Sequence, residues 1–172
     1  LYFALMAALS LLGFALLANH FERSHLTDKL PHLLPDDWRG AFLLLVIVFV
    51  LSSFLDNIAA ALIGGTVAAT VFRHKVHIGY IAALVAASNA GGSGSVVGDT
   101  TTTMMWIDGV SPLDVLHAYV AAGVALVVCG IPAALQQHAY SPIVPQGSHR
   151  LQVDWGRVGI VATILCAAIA VN

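Results

Sequence analysis

The stretch Ser88-Asn89-Ala90-Gly91-Gly92-Ser93-Gly94-Ser95-Val96-Val97-Gly98-Asp99 decides how the sequence is read, because a largely apolar segment at 78–87 precedes it and four threonines followed by apolar residues, 100–107, come after it. Four of its residues, Gly91, Gly92, Gly94 and Gly98, are glycines. Each glycine costs about 1 kcal/mol relative to alanine inside a helix, so an unbroken helix is not sustained here. The sequence predicts two half-helices of about 15 and 12 Å joined by an unwound bridge. Their sum is about one membrane thickness, so residues 78–107 are expected to cross a bilayer as one broken helix interrupted near the midplane. A nucleotide loop is excluded. No Gly-Lys-Ser/Thr follows, and Gly92, Gly94 and Gly98 neither match GxGxxG nor follow a strand. The glycines instead allow backbone to approach a bound ion closely.

Composition supports a membrane chain. Of 172 residues, 59% are apolar and 9% charged, and the mean hydropathy is +0.88, against roughly 25% charged residues in soluble domains. Seven Lys and Arg against nine Asp and Glu leave a net charge of -2 and no basic face for phosphates, which excludes nucleic acid as a partner. The partners implied are membrane lipid, small cations and protons. Cys129 and Cys166 lie apart in apolar runs, which excludes a disulfide scaffold and a zinc site of ordinary spacing, and both are read as small core residues. The eight histidines are scattered without ligand spacing. His117, within a predicted helix, has the chemistry of a proton relay, but a packing role is the favoured reading. No cofactor is expected.

The remaining chain divides by hydropathy. Residues 1–18 read as a transmembrane helix truncated at its start rather than a signal peptide, since no basic leader or cleavage pattern is present, and the chain is expected to be a fragment. Residues 19–40 mix Leu26, Leu30, Leu33 and Leu34 with charged groups, as in an interfacial amphipathic arm broken by Pro31 and Pro35. Residues 41–72 would form a straight helix of about 48 Å, too long for a hydrocarbon core of about 30 Å. Their one polar cluster, Ser52-Ser53-Phe54-Leu55-Asp56-Asn57, is expected to be the tip of a re-entrant hairpin. A basic loop at 73–77 follows it. After the broken helix, Ser111-Pro112-Leu113-Asp114 is a helix-start signal, with a capping serine and a first-turn proline. It opens a transmembrane helix at 113–135, followed by a polar loop at 136–156 and the start of another span at 157–172.

This layout places all seven basic residues, Arg23, Lys29, Arg39, Arg73, Lys75, Arg150 and Arg157, on one side, which the positive-inside rule makes cytoplasmic. A single crossing by residues 41–72 would divide them between the two faces.

Of the nine acids, only Asp56 and Asp99 fall at membrane depth. A carboxylate near the bilayer centre is penalised by at least about 2.5 kcal/mol on insertion scales, so it normally faces protein or water and handles protons or cations. Each adjoins a helix interruption, where freed carbonyls can join Asp56, Asn57, Asn89 and Asp99 around a small hard cation such as sodium. The alternative makes Asp99 the N-cap of a helix starting at Thr100, and Asp56 a tip residue bonded to hairpin amides. Thr100 and Thr101 are weaker candidates, because threonine in a membrane helix often bonds its own backbone.

The motifs Phe54-Leu55-Asp56-Asn57-Ile58, Asn89-Ala90-Gly91-Gly92 and Gly98-Asp99-Thr100-Thr101-Thr102-Thr103-Met104-Met105-Trp106-Ile107 resemble those of NhaD-type sodium/proton antiporters, in the ion transporter (citrate/arsenite transporter-like) superfamily. The similarity spans about a third of the chain. It departs from the family pattern at Ser93-Gly94-Ser95-Val96-Val97, where a tryptophan and a proline are usual. The resemblance implies an all-α polytopic membrane protein, this chain being one half of an inverted-repeat secondary transporter with a re-entrant helical hairpin and a broken transmembrane helix. It further implies a second inverted repeat, a homodimer, elevator-like movement and a bacterial inner (cytoplasmic) membrane. Asp56, Asn57, Asn89, Asp99 and Thr100 become the transport residues, with the Gly91, Gly92, Gly94 and Gly98 backbone beside them. Sodium or lithium is then cargo exchanged for protons, not a cofactor. Related citrate and dicarboxylate carriers resemble a Ser-Asn-Thr tip, whereas this tip offers Asp56-Asn57, so antiport ranks ahead of sodium-coupled carboxylate transport. A non-transporting membrane subunit ranks last.

The charge pattern is open to a direct test. Single cysteines at Arg39 and Lys75 should both react with an impermeant thiol reagent from the cytoplasmic side, and labelling from opposite sides would leave a kinked span in place of the hairpin.

Overall fold

The structure is a computed structural model that describes residues 34–143 and 154–170, with Asn19, His20 and Arg23 ahead of them. The expected span at 1–18, most of the arm at 19–40 and the central part of the loop at 136–156 lie outside the described residues. Those described form helices and no strands: α1 Trp38–Ser52, α2 Asn57–Val71, α3 Ile78–Gly92, α4 Thr100–Ile107, α5 Pro112–Leu116, α6 Ala118–Tyr140 and α7 Trp155–Ala170.

Helix α1 starts three residues ahead of the expected hairpin at 41–72. The Asp37 carboxylate accepts a hydrogen bond from Arg39 N at 2.9 Å and so satisfies one of the free amides of the first turn. The helix ends at Ser52, and α2 begins at Asn57. Leu55 anchors the turn between them, fully buried and with its amide bonded to Leu51 O at 2.7 Å. Each of these helices has 15 residues, about 22 Å, too short to cross a hydrocarbon core of about 30 Å by itself.

Helix α3 runs through Ser88, Asn89 and Ala90 to Gly92 instead of stopping at residue 87, which shortens the bridge to residues 93–99. Packing outweighs glycine's intrinsic penalty there: Ser88, Gly91 and Gly92 are buried, and Asn89 Nδ2 donates to Val85 O one turn back at 2.9 Å. Ser111 caps α5 through Leu113 N, with Pro112 in the first turn. A break at His117 separates α5 from α6, and Pro112–Tyr140 is the described segment long and apolar enough to span a membrane. Helix α6 continues through Gln136 to Tyr140, residues whose polarity predicts a loop.

The core forms where α1 packs against α2, α3 and α6. Leu44, Leu45 and Val48 of α1 are completely buried at helical spacing, with Ala60 and Ala68 of α2, Leu84 of α3 and Ala134 of α6 around them. Tyr80 donates its hydroxyl to Ala41 O at 2.7 Å, and its ring meets the Phe72 ring edge-on at 5.3 Å. Large apolar side chains also remain exposed along α2, α3 and α6, including Ile58, Leu62, Val85 and Val124. On α2, Thr66 and Thr70 donate their hydroxyls to Leu62 O and Thr66 O at 2.9 and 2.8 Å.

Between α2 and α3 the chain turns through Arg73 and His74, both with left-handed backbone at φ 50° and 61°. Such geometry costs about 1–2 kcal/mol per residue when a side chain is present. It is held by Gln137, which is fully buried: its Oε1 accepts from His77 N at 2.7 Å, and its Nε2 donates to Lys75 O and Ser141 O at 3.0 and 3.1 Å. The polar side chain on α6 is therefore a fastener for the loop at 73–77. Gln137→Leu should leave the His77 amide and the Lys75 carbonyl without these partners and reduce stability by about 1–3 kcal/mol, measured as a lower Tm in detergent. An unchanged Tm would remove Gln137 from this role.

Candidate cation site

The two helix interruptions lie against each other. Ser52 Oγ donates to the carbonyl of Ser88, and Ser53 Oγ reaches Gly91 O at 3.1 Å as well as Phe49 O at 3.2 Å. Two glycines make the approach possible. A Cβ on Gly91 would overlap the Phe49 carbonyl oxygen, and one on Gly98 would overlap that of Ser52. The other two glycines have different neighbours, Gly92 facing the Asp99 Cβ and Gly94 facing the Tyr119 ring of α6. The Tyr119 ring in turn lies 5.9 Å from that of Phe49.

This junction brings together three of the candidate residues. Asn57, the first residue of α2, directs Nδ2 to Asn89 Oδ1 at 2.9 Å and to Asp99 Oδ2 at 3.3 Å. Asn89 comes from the last turn of α3 and is exposed, while Asn57 and Asp99 are half-buried. Asp99 is also the N-cap of α4, its Oδ1 accepting from Thr101 N at 2.6 Å. Capping and contact with the amides therefore coexist, one oxygen for each.

Asp56 and Thr100 are not hydrogen-bonded into that group. Asp56 precedes α2, but its side chain does not cap the helix. Among the described residues, ion pairs join Arg39 to Asp37 and Arg157 to Asp154, and neither Asp56 nor Asp99 has a basic partner. No cluster of three His, Cys, Asp or Glu occurs among the described residues either. One carboxylate with two amides and no protein cation beside it is a donor set suited to a small hard cation of low charge. His117 lies away from these residues in sequence, exposed at the α5–α6 junction.

The sequence points to Thr100 and Thr101, but the structure turns Thr102 and Thr103 toward the bridge instead. They are the buried members of the run, at 7% and 4% exposure, and both donate to the bridge. Thr102 Oγ1 lies 2.5 Å from Ser95 O and 2.9 Å from Asp99 O, and Thr103 Oγ1 lies 2.7 Å from Val96 O and 2.8 Å from Asp99 O. The available signal was four threonines directly after an unwound segment whose carbonyls need donors. Ser95 Oγ completes the arrangement by accepting from Val97 N and Gly98 N, both at 3.2 Å.

Described residues that are helical without strands, with interrupted apolar helices and carboxylate and amide groups at the interruptions, have the form of a membrane transport protein. The family model described as citrate transporter, CitMHS, matches residues 2–171, and the chain belongs to that family. It is thus a secondary transporter and an integral membrane protein, not an enzyme. The match is to the family as a whole and does not extend to an NhaD-type subgroup. No curated protein and no solved structure matches the chain.

The glycine contacts yield a controlled comparison. Gly91→Ala and Gly98→Ala each drive a methyl group into a backbone carbonyl and should lower both transport and Tm, whereas Gly65→Ala, inside α2 with nothing within 4 Å of its added Cβ, should leave transport unchanged and hold or slightly raise Tm. Normal transport and Tm in the first two variants would show that the junction does not need bare backbone there.

Proposed function

We propose that the protein exchanges sodium or lithium for protons by alternating access, with Asp99 as the carboxylate that carries cation and proton in turn. The supporting observation is the convergence of Asp99, Asn57 and Asn89 at two helix interruptions, with no basic side chain among the described residues paired with the carboxylate. Asp99 Oδ2 faces the Asn57 amide while Oδ1 remains on Thr101 N. Rotation of the Asn57 amide would present its oxygen to a cation in place of Nδ2, and Asn89 Oδ1 would complete the side-chain ligands. Asp56, whose carboxylate does not cap α2, is the second proton-carrying acid at the hairpin tip, and Thr100 lies beside the site.

In this reading α1 and α2 form a re-entrant hairpin that enters and leaves by the cytoplasmic face, their short lengths favouring a tip within the membrane. The α3–bridge–α4 segment crosses as a broken helix. A second inverted repeat supplies the opposite wall, and two protomers form a homodimer in a bacterial inner membrane. Protonation of the acids releases the cation, and their ionisation on the other side of the membrane drives the return half-cycle.

The family's description as citrate transporters favours a second reading, sodium-coupled citrate or dicarboxylate uptake. Electrostatics weigh against it. Two like charges at 4 Å oppose one another by about 4 kcal/mol at an effective dielectric near 20, so Asp56 and Asp99 would have to be neutralised by sodium ions or protons before a carboxylate entered. Uptake of labelled citrate without sodium/proton exchange would select the second reading.

The decisive variants are asparagines. Asp99→Asn preserves shape and retains an N-cap, so stability should fall by about 1 kcal/mol or less. Asparagine cannot alternate between charged and neutral forms, so sodium-dependent proton movement in proteoliposomes and its pH dependence should both disappear. Asp56→Asn should act likewise. Near-normal exchange by both variants, at equal protein levels, would reduce Asp99 to a helix cap.

A further inference from the structure

The bridge at 93–99 has left the helical hydrogen-bonding pattern, and in a water-poor setting its freed carbonyls need donors. Two of them, Ser95 O and Val96 O, receive the hydroxyls of Thr102 and Thr103, seven residues further along the chain. The link folds the bridge back along the first turns of α4. Both hydroxyls also lie within hydrogen-bonding distance of Asp99 O, at 2.9 Å for Thr102 and 2.8 Å for Thr103. Each hydroxyl has a single proton to share between its two acceptors; the Asp99 carbonyl is held besides by Thr103 N at 3.0 Å, and the Asp99 side chain is held at Oδ1 by Thr101 N. Oδ2 alone is left to face Asn57.

Thr103 is 4% exposed and shares no hydrogen bond with Asn57 or Asn89. Anything it contributes to the site passes through Asp99 and the bridge. We propose that Thr103, with Thr102 beside it, is a positioning residue for transport: its hydroxyl donates to Val96 O while its amide donates to Asp99 O at 3.0 Å, so that the bridge is held against the start of α4 and the place where the Asp99 carboxylate meets the cation is fixed. The proposal rests on the reading of Asp99 as the cation-binding carboxylate. It also assigns Ser95 O and Val96 O to the threonines, leaving the bridge's contribution to the ion to carbonyls nearer Asp99.

Thr103→Val removes the hydroxyl at nearly constant shape, and Thr103→Ser retains it. In the full-length transporter reconstituted into liposomes, Thr103→Val should raise the KM for sodium about tenfold, the scale expected from one lost hydrogen bond. The maximal rate should be almost unchanged, and Thr103→Ser should restore the wild-type KM. A lower Tm with unchanged KM in Thr103→Val would overturn the positioning role and leave a packing residue. Should that variant fail to accumulate, Thr103→Cys, similar in size but a weaker donor, serves in its place, and a normal KM there overturns the proposal equally. Wild-type protein that exchanges neither sodium nor lithium for protons would overturn the reading of Asp99 and this inference with it. Normal wild-type exchange with unshifted variants would overturn the inference alone.

Discussion

Where α1 ends and α3 unwinds, two backbones meet at glycines, with only short serine side chains bridging them. Helix ends leave carbonyls without intrahelical donors, and an apolar surrounding makes each such group expensive. Here the ends supply one another. The hydroxyls of Ser52 and Ser53 donate across the junction to Ser88 O and Gly91 O, while Gly91 and Gly98 remove the Cβ atoms that would hold the chains apart. Once that approach is made, the positions of the polar residues follow from the chain. Asn57 is the first residue after the hairpin turn, Asn89 lies one turn before the end of α3, and Asp99 follows Gly98. The group of three is a consequence of two interruptions sharing one location.

Much of this arrangement was legible in residue types. The polar tip at 52–57 and the glycine run announced both interruptions, and Ser111-Pro112 announced the start of α5. Helix lengths were less legible, because propensity states what glycine costs but not what packing returns. Gly91 and Gly92 stay helical because they lie buried beside α1 and Asp99. Gln137 was hidden for a related reason. A polar residue near a helix end reads as loop, and only the fold shows that the carbonyl of Lys75 and the amide of His77 are waiting for it. The threonine run showed its composition but not its direction, since which two hydroxyls turn toward the bridge depends on the phase of α4.

The two oxygens of Asp99 let helix capping and the proposed ion binding occur side by side. A carboxylate has two oxygens, and a helix N-terminus attracts negative charge through its free amides and its dipole. The end of α4 therefore takes up one oxygen of Asp99 through Thr101 N and leaves the other to the Asn57 amide of α2, which in turn meets Asn89 of α3. A basic residue in that place would neutralise the group and occupy the space of a cation.

The two threonine hydroxyls of α2 have an effect beyond the helix itself. Thr66 and Thr70 turn their oxygens inward onto Leu62 O and Thr66 O, so the methyl groups remain as the outward-facing part of each side chain. Together with Ile58 and Leu62 they form a strip at four-residue spacing whose contact atoms are chiefly hydrocarbon, although half of its residues are classed as polar. To an acyl chain or a facing helix this strip behaves as alkane, and a residue-based hydropathy scale underrates how readily it leaves water.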